Sequence, residues 1–301
     1  MELENLNKLY TGIGKVQFKN GKGELLAVEI ANLFAFAEFS LYGAHILSFI
    51  PSNEKDILWL SEKSFFTEGK PIRGGIPLCF PWFGPNPSDN ALPPHGFARL
   101  IYWSVEDISD LPDNSTRLIL KCESNDFTRK IWPFEFKAKL IIIIGKKLDV
   151  TLQFTNADSR EFKCTDALHT YFLISDTSNI TIEGLENSSY YDGLQKDSLL
   201  KQSEKLLPII KEENRRYIEH SANCIIYDKG FGRKITVAKR GSQTTVVWNP
   251  WVETSKSFAD MTPEGYKTMV CVEAVNAYND FVLLQPGESF NLSTVLSVER
   301  L

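Results

Sequence analysis

The sequence has few of the motifs that bind metals, bind nucleotides or form disulfide bonds. Its five cysteines are scattered and include no Cys-x-x-Cys pair, so neither a disulfide framework nor a zinc ribbon is indicated. The four histidines lack the spacing of a zinc-binding helix. Nucleotide-binding glycine-rich loops and the Gly-x-Ser-x-Gly elbow of hydrolases are also missing. We therefore expect a site that works without a metal and without a cofactor.

The chain also lacks a basic excess and a long apolar run. Its 33 basic residues against 38 acidic residues give a net charge of −5. This argues against nucleic-acid or membrane-surface binding, because both require clustered basic charge. The purest apolar run, 140–144, is far shorter than the about 20 residues that cross a bilayer, and the acidic start, 1–5, has no apolar signal core. We expect a monomeric, cytoplasmic protein without membrane or nucleic-acid partners.

Short alternating segments dominate the chain and predict β-strands. The stretch 147–154 alternates polar and apolar residues, and so do 15–19 and 134–140. A period of two is typical of half-buried strands. Similar segments recur along the whole sequence, near residues 25–30, 35–50, 102–108, 115–122, 163–174, 234–239, 244–248, 267–274 and 288–298.

The arrangement of these segments predicts one domain. The chain shows no internal repeat of about 20–50 residues, which excludes a solenoid or propeller, and no linker-like stretch divides it. The best helical segment covers 197–207 and ends before Pro208. We expect a single all-β domain over residues 1–301, built as a large antiparallel β-sandwich.

One segment, 70–99, breaks the strand pattern. It contains seven of the 14 prolines and many large apolar side chains. A loop of this length inside a compact domain is usually functional or disordered, and its apolar content argues for order. The segment carries Arg73, His95 and Arg99, so it is a candidate scaffold for a site.

Two residues on apparent strands are candidates for acid–base chemistry. Strand alternation places His169 on the face opposite to Asp166. Glu273 lies in a strand that is apolar on both faces, where burial raises a carboxyl pKa towards the range of a general base. A structural histidine and a buried structural ion pair remain the alternatives. Of the other histidines, we expect His45 to be structural and His220 to lie at the surface.

Arginines and tryptophans offer candidate binding groups. Arg73 precedes Gly74–Gly75, whose backbone amides are suited to an anion, and Arg99 ends the same loop. A guanidinium fits phosphate oxygens in a forked geometry, although solvated surface arginines are the alternative. The segment 248–251, Trp-Asn-Pro-Trp, is either a sugar-stacking platform or a structural turn.

Several motifs resemble those of one enzyme family. Residues 73–84, RGGIPLCFPWFG, and 94–99, PHGFAR, closely resemble glucose-6-phosphate 1-epimerases, which belong to the aldose 1-epimerase superfamily. Further similar segments follow in the family order over most of the chain, at 166–172 (DALHTYF), 182–185 (IEGL), 247–251 (VWNPW) and 270–273 (VCVE).

This resemblance implies a fold, an activity and residue roles. The implied fold is the galactose-mutarotase-like β-sandwich, and the implied reaction interconverts the α and β anomers of a hexose 6-phosphate. By motif, His169 is the implied general acid and Glu273 the general base. The implied substrate-binding residues are Arg73 and Arg99 at the phosphate, His95 at the sugar and Asp192 at a sugar hydroxyl.

The sequence departs from the family pattern at three places. Pro94 stands where the family commonly has Gln, and Ala274–Val275 replaces the Pro-Gly that often follows the base. A family-like Glu-x-Asp-Arg-x-Tyr stretch reads Glu212–Tyr217, with Asn214 in place of Asp. These departures affect substrate contacts and local loop geometry and leave the acid–base pair intact.

Changing an anomer requires opening and closing of the sugar ring, which an acid and a base catalyse without a metal or redox cofactor. We expect a bell-shaped pH profile, with Glu273 ionised and His169 protonated in the active form. A non-catalytic sugar-phosphate binding protein on the same fold is the alternative. A glycosidase is a third hypothesis. It requires two carboxyl groups, and the sequence offers one convincing buried carboxylate.

Overall fold

The computed structural model describes residues 3–10, 12–13 and 15–301, so Met1 and Glu2 of the acidic start lie outside the described residues. Antiparallel strands dominate this part of the chain. Its 23 strands are β1 (Lys15–Asn20), β2 (Leu26–Ala31), β3 (Ala35–Ser40), β4 (His45–Pro51), β5 (Leu78–Cys79), β6 (Ser104–Asp110), β7 (Thr116–Glu123), β8 (Phe136–Ile144), β9 (Leu148–Asn156), β10 (Phe162–Cys164), β11 (Asp166–Leu168), β12 (Tyr171–Leu173), β13 (Ile180–Glu183), β14 (Ser189–Asp192), β15 (Ser198–Lys201), β16 (Leu206–Pro208), β17 (Glu213–Tyr217), β18 (Cys224–Asp228), β19 (Arg233–Arg240), β20 (Thr244–Asn249), β21 (Met269–Asn276), β22 (Val282–Leu284) and β23 (Ser289–Arg300).

Helices are short in the described residues. The three α-helices are α1 (Leu3–Leu9), α2 (Asp126–Ile131) and α3 (Trp251–Ser257), and four single turns of 3-10 helix lie at Lys22–Glu24, Ala98–Leu100, Thr177–Asn179 and Gly265–Thr268. None of these helices is long and apolar enough to cross a membrane.

The strands form two large sheets and two small ones. The larger sheet has nine strands in the order β16-β13-β18-β19-β23-β9-β8-β7-β6. The other large sheet has the order β15-β14-β17-β20-β21-β11-β5, with β12 also paired to β21. A four-stranded sheet, β1 to β4, and the pair β10–β22 complete the set. This all-β architecture of antiparallel sheets confirms the fold class that the alternating sequence predicts.

The core lies between the two large sheets. Alternate residues of β8 and β9 are buried, including Leu140 and Leu152, and they pack in one cluster with Val270 and Val272 of β21. Strand β21 is buried on both faces, so its remaining residues face away from this core. One face of β21 therefore serves packing, and the other is free to carry a site.

The helix predicted over 197–207 is wrong. The structure has the edge strand β15 there, paired with β14, followed by β16, paired with β13. Leucine pairs at 199–200 and 206–207 imitate helical spacing, but strand pairing supplies the backbone hydrogen bonds of both segments. Tertiary pairing thus overrides a weak local pattern.

The segment 70–99 is ordered and packed against the sheets, as predicted. It contributes β5 to the sheet that holds β21, and isolated bridges join Gly74 to Leu60 and Ile76 to Ile46. Its apolar side chains are buried in the core, including Ile76, Leu78, Phe80 and Phe97. The loop is thereby held against the sheet that contains β21.

Candidate active site

Strand register assembles the floor of a cavity on the outer face of β21. Arg216 of β17 pairs with Val246 of β20, which in turn pairs with Glu273 of β21. On the other side of β21, Leu168 pairs with Ala274 and Tyr171 pairs with Cys271, so the intervening His169 lies opposite Glu273. Four side chains thus form one row across the sheet, in the order Arg216, Val246, Glu273 and His169.

His169 and Glu273 form a buried pair. Nδ1 of His169 lies 3.3 Å from Oε1 of Glu273, and their side chains are 11% and 1% exposed. His169 Nδ1 and Glu273 Oε2 are buried without a well-formed hydrogen bond to any described residue. Buried polar atoms are nearly always partnered in native proteins, so this pair is poised to receive hydrogen bonds from a bound molecule.

Burial also determines the protonation of this pair. Desolvation raises the pKa of Glu273 well above 4.5. The pKa of His169 is held well below 6.5, first by desolvation and then by His95, Arg99 and Arg73. Between these two pKa values the pair holds one proton, on Glu273. The sequence predicts an ionised Glu273 and a protonated His169. The free protein holds the same single proton, but burial favours the neutral form of both groups, so the proton is on Glu273 rather than on His169.

Aromatic rings fix the position of the His169 ring. Tyr171 stacks on it in parallel, with ring centroids 4.8 Å apart, and Trp248 meets it edge-on at 6.2 Å. Because Tyr171 is two residues from His169, strand alternation puts both on one face. Trp248 of the predicted Trp-Asn-Pro-Trp platform therefore lines the cavity, whereas Trp251 packs on Tyr266 at the start of α3.

Arg73 reaches the cavity from the loop and is anchored there. Its guanidinium bonds both carboxylate oxygens of Asp260 at 3.1–3.2 Å, donates to the Tyr171 hydroxyl at 3.3 Å and lies over the Phe258 ring at 4.5 Å. These partners hold the guanidinium in one orientation, which is the requirement for forked recognition of an anion. Asp260 offsets its charge.

Among the described residues, Arg99, unlike Arg73, has no carboxylate within ion-pair distance that offsets its charge. Its Nη2 donates to the Pro94 carbonyl at 2.8 Å, its Nε is buried without a hydrogen-bond partner, and it forms no ion pair with a carboxylate of the described residues. Desolvation lowers the pKa of the guanidinium, although an arginine remains charged. A half-buried cation without a carboxylate partner, in the same cavity as Arg73, is suited to bind an anion.

Gly74 and Gly75 serve close packing at this loop. The Gly75 amide donates to the Trp59 carbonyl at 2.6 Å, so the expectation that it faces an anion is wrong. A Cβ at Gly75 would lie 2.1 Å from the Ile46 carbonyl oxygen, and its φ of 62° also favours glycine. The two glycines let the start of the loop lie close to the backbone of Trp59, Leu60 and Ile46.

His95 faces the pair from the loop. Its ring lies 5.7 Å from that of His169, and its backbone has a φ of 66°. The Gly84 amide donates to its Nδ1 at 3.2 Å, which leaves the proton of the neutral ring on Nε2. Burial, together with Arg99 and Arg73, lowers the pKa of His95 to about 3, so it is a neutral hydrogen-bond donor.

These groups surround a cavity of about 450 Å³, a size typical of small-molecule sites. Of the predicted site residues, it brings together Arg73, His95, Arg99, His169 and Glu273. Asp192 is not among its lining residues: its carboxylate accepts hydrogen bonds from the Leu194 amide and the Gln195 side chain within a turn. Five further polar residues line the cavity and are outside the predicted set: Tyr171, Asn214, Arg216, Asp260 and Tyr278.

The remaining histidines are structural. His45 is buried, as predicted, with Nε2 2.7 Å from the Gly74 carbonyl oxygen. The expected surface position of His220 is wrong. Its side chain is buried and bonds Thr245 Oγ1 of β20 and the carbonyl of Gly184, which follows β13. Long-range pairing of this kind leaves no local signal.

One group of side chains near the pair has the composition of a metal site. His169, Cys271 and Glu273 each place a ligand atom within 4.8 Å of the others. Burial raises the pKa of the Cys271 thiol well above 9.0, so the thiol is neutral in the free protein and would have to ionise before it could ligate a metal.

Comparison with known proteins relates this chain to sugar isomerases. The family model described as aldose 1-epimerase matches residues 27–297. Relatives named "putative glucose-6-phosphate 1-epimerase" from Salmonella typhimurium and Cenchrus ciliaris are 37% and 36% identical over 243 and 271 residues, covering 80% and 87% of this chain and 80% of each relative.

Solved structures share the architecture. The crystal structure of a Salmonella typhimurium protein described as a "putative mutarotase" superposes with a TM-score of 0.89 at 30% identity, covering 99% of this chain and 100% of that one. Galactose 1-epimerase from Lactobacillus acidophilus has a TM-score of 0.73 at 12% identity, with 95% and 99% of the two chains covered. The fold is therefore galactose-mutarotase-like.

Proposed function

The chain belongs to the aldose 1-epimerase family of sugar mutarotases, and on that premise we propose that it interconverts the α and β anomers of hexose 6-phosphates, with glucose 6-phosphate as the main substrate. The observation that carries this proposal is the contact between His169 and Glu273 beside two loop arginines. The names of the relatives agree with this substrate class.

The pair has the functional groups that ring opening requires. Glu273 as the base removes the proton of the C1 hydroxyl, while His169 as the acid gives a proton to the ring oxygen, and the bond between C1 and the ring oxygen breaks. Rotation about C1–C2 presents the other face of the aldehyde, and the reverse proton transfers close the ring. The pair returns to its starting protonation, so each turnover needs no other reactant.

A bound phosphate prepares the pair for this chemistry. In the free protein, Arg73 and Arg99 contribute to the low pKa of His169. A phosphate dianion between them cancels their field at the imidazole, so the pKa of His169 rises when substrate binds. The proton that rests on Glu273 then passes to His169, which yields the carboxylate base and the imidazolium acid together.

The experiment that tests the function measures anomer exchange directly. Two-dimensional exchange spectroscopy of the anomeric proton signals of glucose 6-phosphate is recorded with and without the protein. We expect exchange between the α and β signals to accelerate strongly with protein. Binding of glucose 6-phosphate without faster exchange would overturn the catalytic proposal in favour of a sugar-phosphate binding protein.

A further inference from the structure

The cavity has a third arginine at the end opposite to the loop arginines. Arg216 lies two strands from Glu273 in the same row, on the side away from His169. With strands about 4.8 Å apart, the Cα atoms of Arg216 and Glu273 are roughly 10 Å apart. Arg73 contacts Tyr171 on the His169 side. Cationic groups therefore lie on both sides of the acid–base pair.

Arg216 is held in place with donors to spare. Its guanidinium lies 4.8 Å from the ring centroid of Tyr278, which also lines the cavity. Its Nε is buried without a hydrogen-bond partner. A stacked guanidinium loses little further freedom when it binds an anion, because the ring has already fixed its plane.

The carboxylate that pairs with Arg216 can be joined by an anion of a ligand. Nη2 of Arg216 bonds the carboxylate of Asp197, a turn residue that lies outside the cavity and is 59% exposed. Only Asp197 faces solvent, since the Arg216 side chain is 12% exposed, so a ligand carboxylate or phosphate inside the cavity can share the guanidinium through the nitrogens that Asp197 does not bond. The position of Asp197 also shows that a carboxylate can reach the guanidinium.

The neighbouring residue on the same face adds to this preference. Asn214, two residues from Arg216 on β17, lines the cavity at the position where the family-like pattern has Asp. An amide in place of a carboxylate removes one negative charge from this end of the cavity. Between Arg216 and Glu273, Val246 presents an apolar surface over which a substituent can extend.

We propose that Arg216 is a specificity-determining residue that binds a second anionic group of the substrate. This inference rests on the proposed function and narrows its substrate class to hexose 6-phosphates with a carboxylate-bearing or phosphate-bearing substituent near C2 or C3. The 6-phosphate binds Arg73 and Arg99, the reacting C1 lies at Glu273, and the second anion extends past C1 to Arg216. The ring carbons beyond C1 are the ones nearest to that side of the row.

Two matched probes test the proposal. N-acetylglucosamine 6-phosphate and its 3-O-lactyl ether, N-acetylmuramic acid 6-phosphate, differ by a carboxylate arm, and calorimetry gives the Kd of each without any need for turnover. We expect the wild-type protein to bind the carboxylate probe at least about 10-fold more tightly, since hydrogen bonds to charged groups contribute that much or more. Equal affinities, or weaker binding of the carboxylate probe, would overturn the proposal.

Variants assign the preference to one side chain. Arg216→Gln should reduce the ratio of the two Kd values to near 1, whereas Arg216→Lys should keep part of it. Arg240→Gln, which removes the same charge from an exposed arginine on β19, is the matched control and should keep the wild-type ratio. A preference that persists in Arg216→Gln would contradict the proposal.

A second variant tests the same proposal if Arg216→Gln does not fold. Asp197→Asn frees the guanidinium of its exposed partner and should increase the preference several-fold; a decrease would contradict the proposal. Arg99→Ala should weaken both probes equally. Arg99→Ala could instead leave both affinities unchanged while the carboxylate probe is still preferred. That result would contradict the proposed phosphate site and would leave the proposed role of Arg216 supported.

Discussion

Nδ1 of His169, in the break between β11 and β12, lies 3.3 Å from Oε1 of Glu273 on β21, and each side chain is buried and incompletely hydrogen-bonded. The register of β21 against β11 and β12 creates this contact, because Ala274 pairs with Leu168 and Cys271 with Tyr171. Glu273 lies within β21, and His169 is held between two strands that both pair with β21, so sheet backbone holds the two groups at a fixed separation. Sites built on strands are more precise than sites built on loops.

Removal of either member of the pair should abolish most of the activity. A positioned acid or base contributes about 10²–10⁴ in rate, so we expect His169→Asn and Glu273→Gln each to lower kcat by that order in the anomer-exchange assay. Because the two groups act as a unit, the double variant should be little slower than the worse single variant. Near-full activity of both single variants would contradict the assignment.

The pH profile of kcat/KM should be a broad bell. The active pair holds one proton, so activity falls at low pH, where a second proton enters at a His169 pKa held well below 6.5. It falls at high pH, where the last proton leaves at a Glu273 pKa raised well above 4.5. The measurement is the initial exchange rate of free glucose at low concentration, because the phosphate of a hexose 6-phosphate itself titrates at about pH 6. An acidic limb at the ordinary histidine value of about 6.5 would contradict this arrangement.

The loop arginines should act on phosphorylated sugars selectively. Arg99→Ala is expected to raise KM for glucose 6-phosphate about 10- to 100-fold, because a charge-assisted contact is lost, with a much smaller effect on free glucose. Arg240→Ala on the exposed face of β19 is the control for general charge removal. Equal effects of Arg99→Ala on both sugars would remove Arg99 from phosphate binding.

A separate anion should activate the turnover of free glucose. If a dianion between Arg73 and Arg99 raises the pKa of His169, inorganic phosphite added with glucose restores part of that effect. We expect anomer exchange of glucose to accelerate with phosphite in wild-type protein and to lose this response in Arg99→Ala. Inhibition by phosphite at all concentrations would show that the anion does not prepare the acid.

Asp166 offers a stability test away from the cavity. Desolvation raises its pKa to about 8, with its cross-strand neighbour Asn276 offsetting burial only in part. A raised pKa in the folded state means that stability is present at low pH and is lost as pH rises towards 8. Between pH 6 and pH 8 this costs up to about 2–3 kcal/mol, at about 1.4 kcal/mol for each pH unit.

Asp166→Asn resembles the protonated acid at every pH and should remove this loss. We expect urea unfolding to show that the variant gains stability relative to wild type as the pH increases from 6 to 8. Asp126→Asn, at a side chain that is 93% exposed, is the matched control and should show no such gain. A constant difference between Asp166→Asn and wild type at both pH values would contradict the raised pKa.

Period-two alternation predicted the strands. It also predicted that His169 shares a face with Tyr171, because residues two apart on an extended chain point to the same side. The burial of Glu273 followed from the apolar strand around it. Arg216 and Asn214 were out of reach, since their position at the cavity depends on the pairing of β17 with β20. The false helix over 197–207 has the same cause: partners distant in sequence decided its conformation.

The origin of the cavity walls has a consequence for how such proteins diversify. The proposed acid–base pair lies on β21 and between β11 and β12, whereas Arg73, His95 and Arg99 belong to the segment 70–99 that lies across the sheet. The acid–base pair and the proposed phosphate contacts are thus encoded in separate stretches of chain. A graft of this segment from a relative that handles an uncharged sugar would redirect the substrate range while the ring-opening step stayed the same.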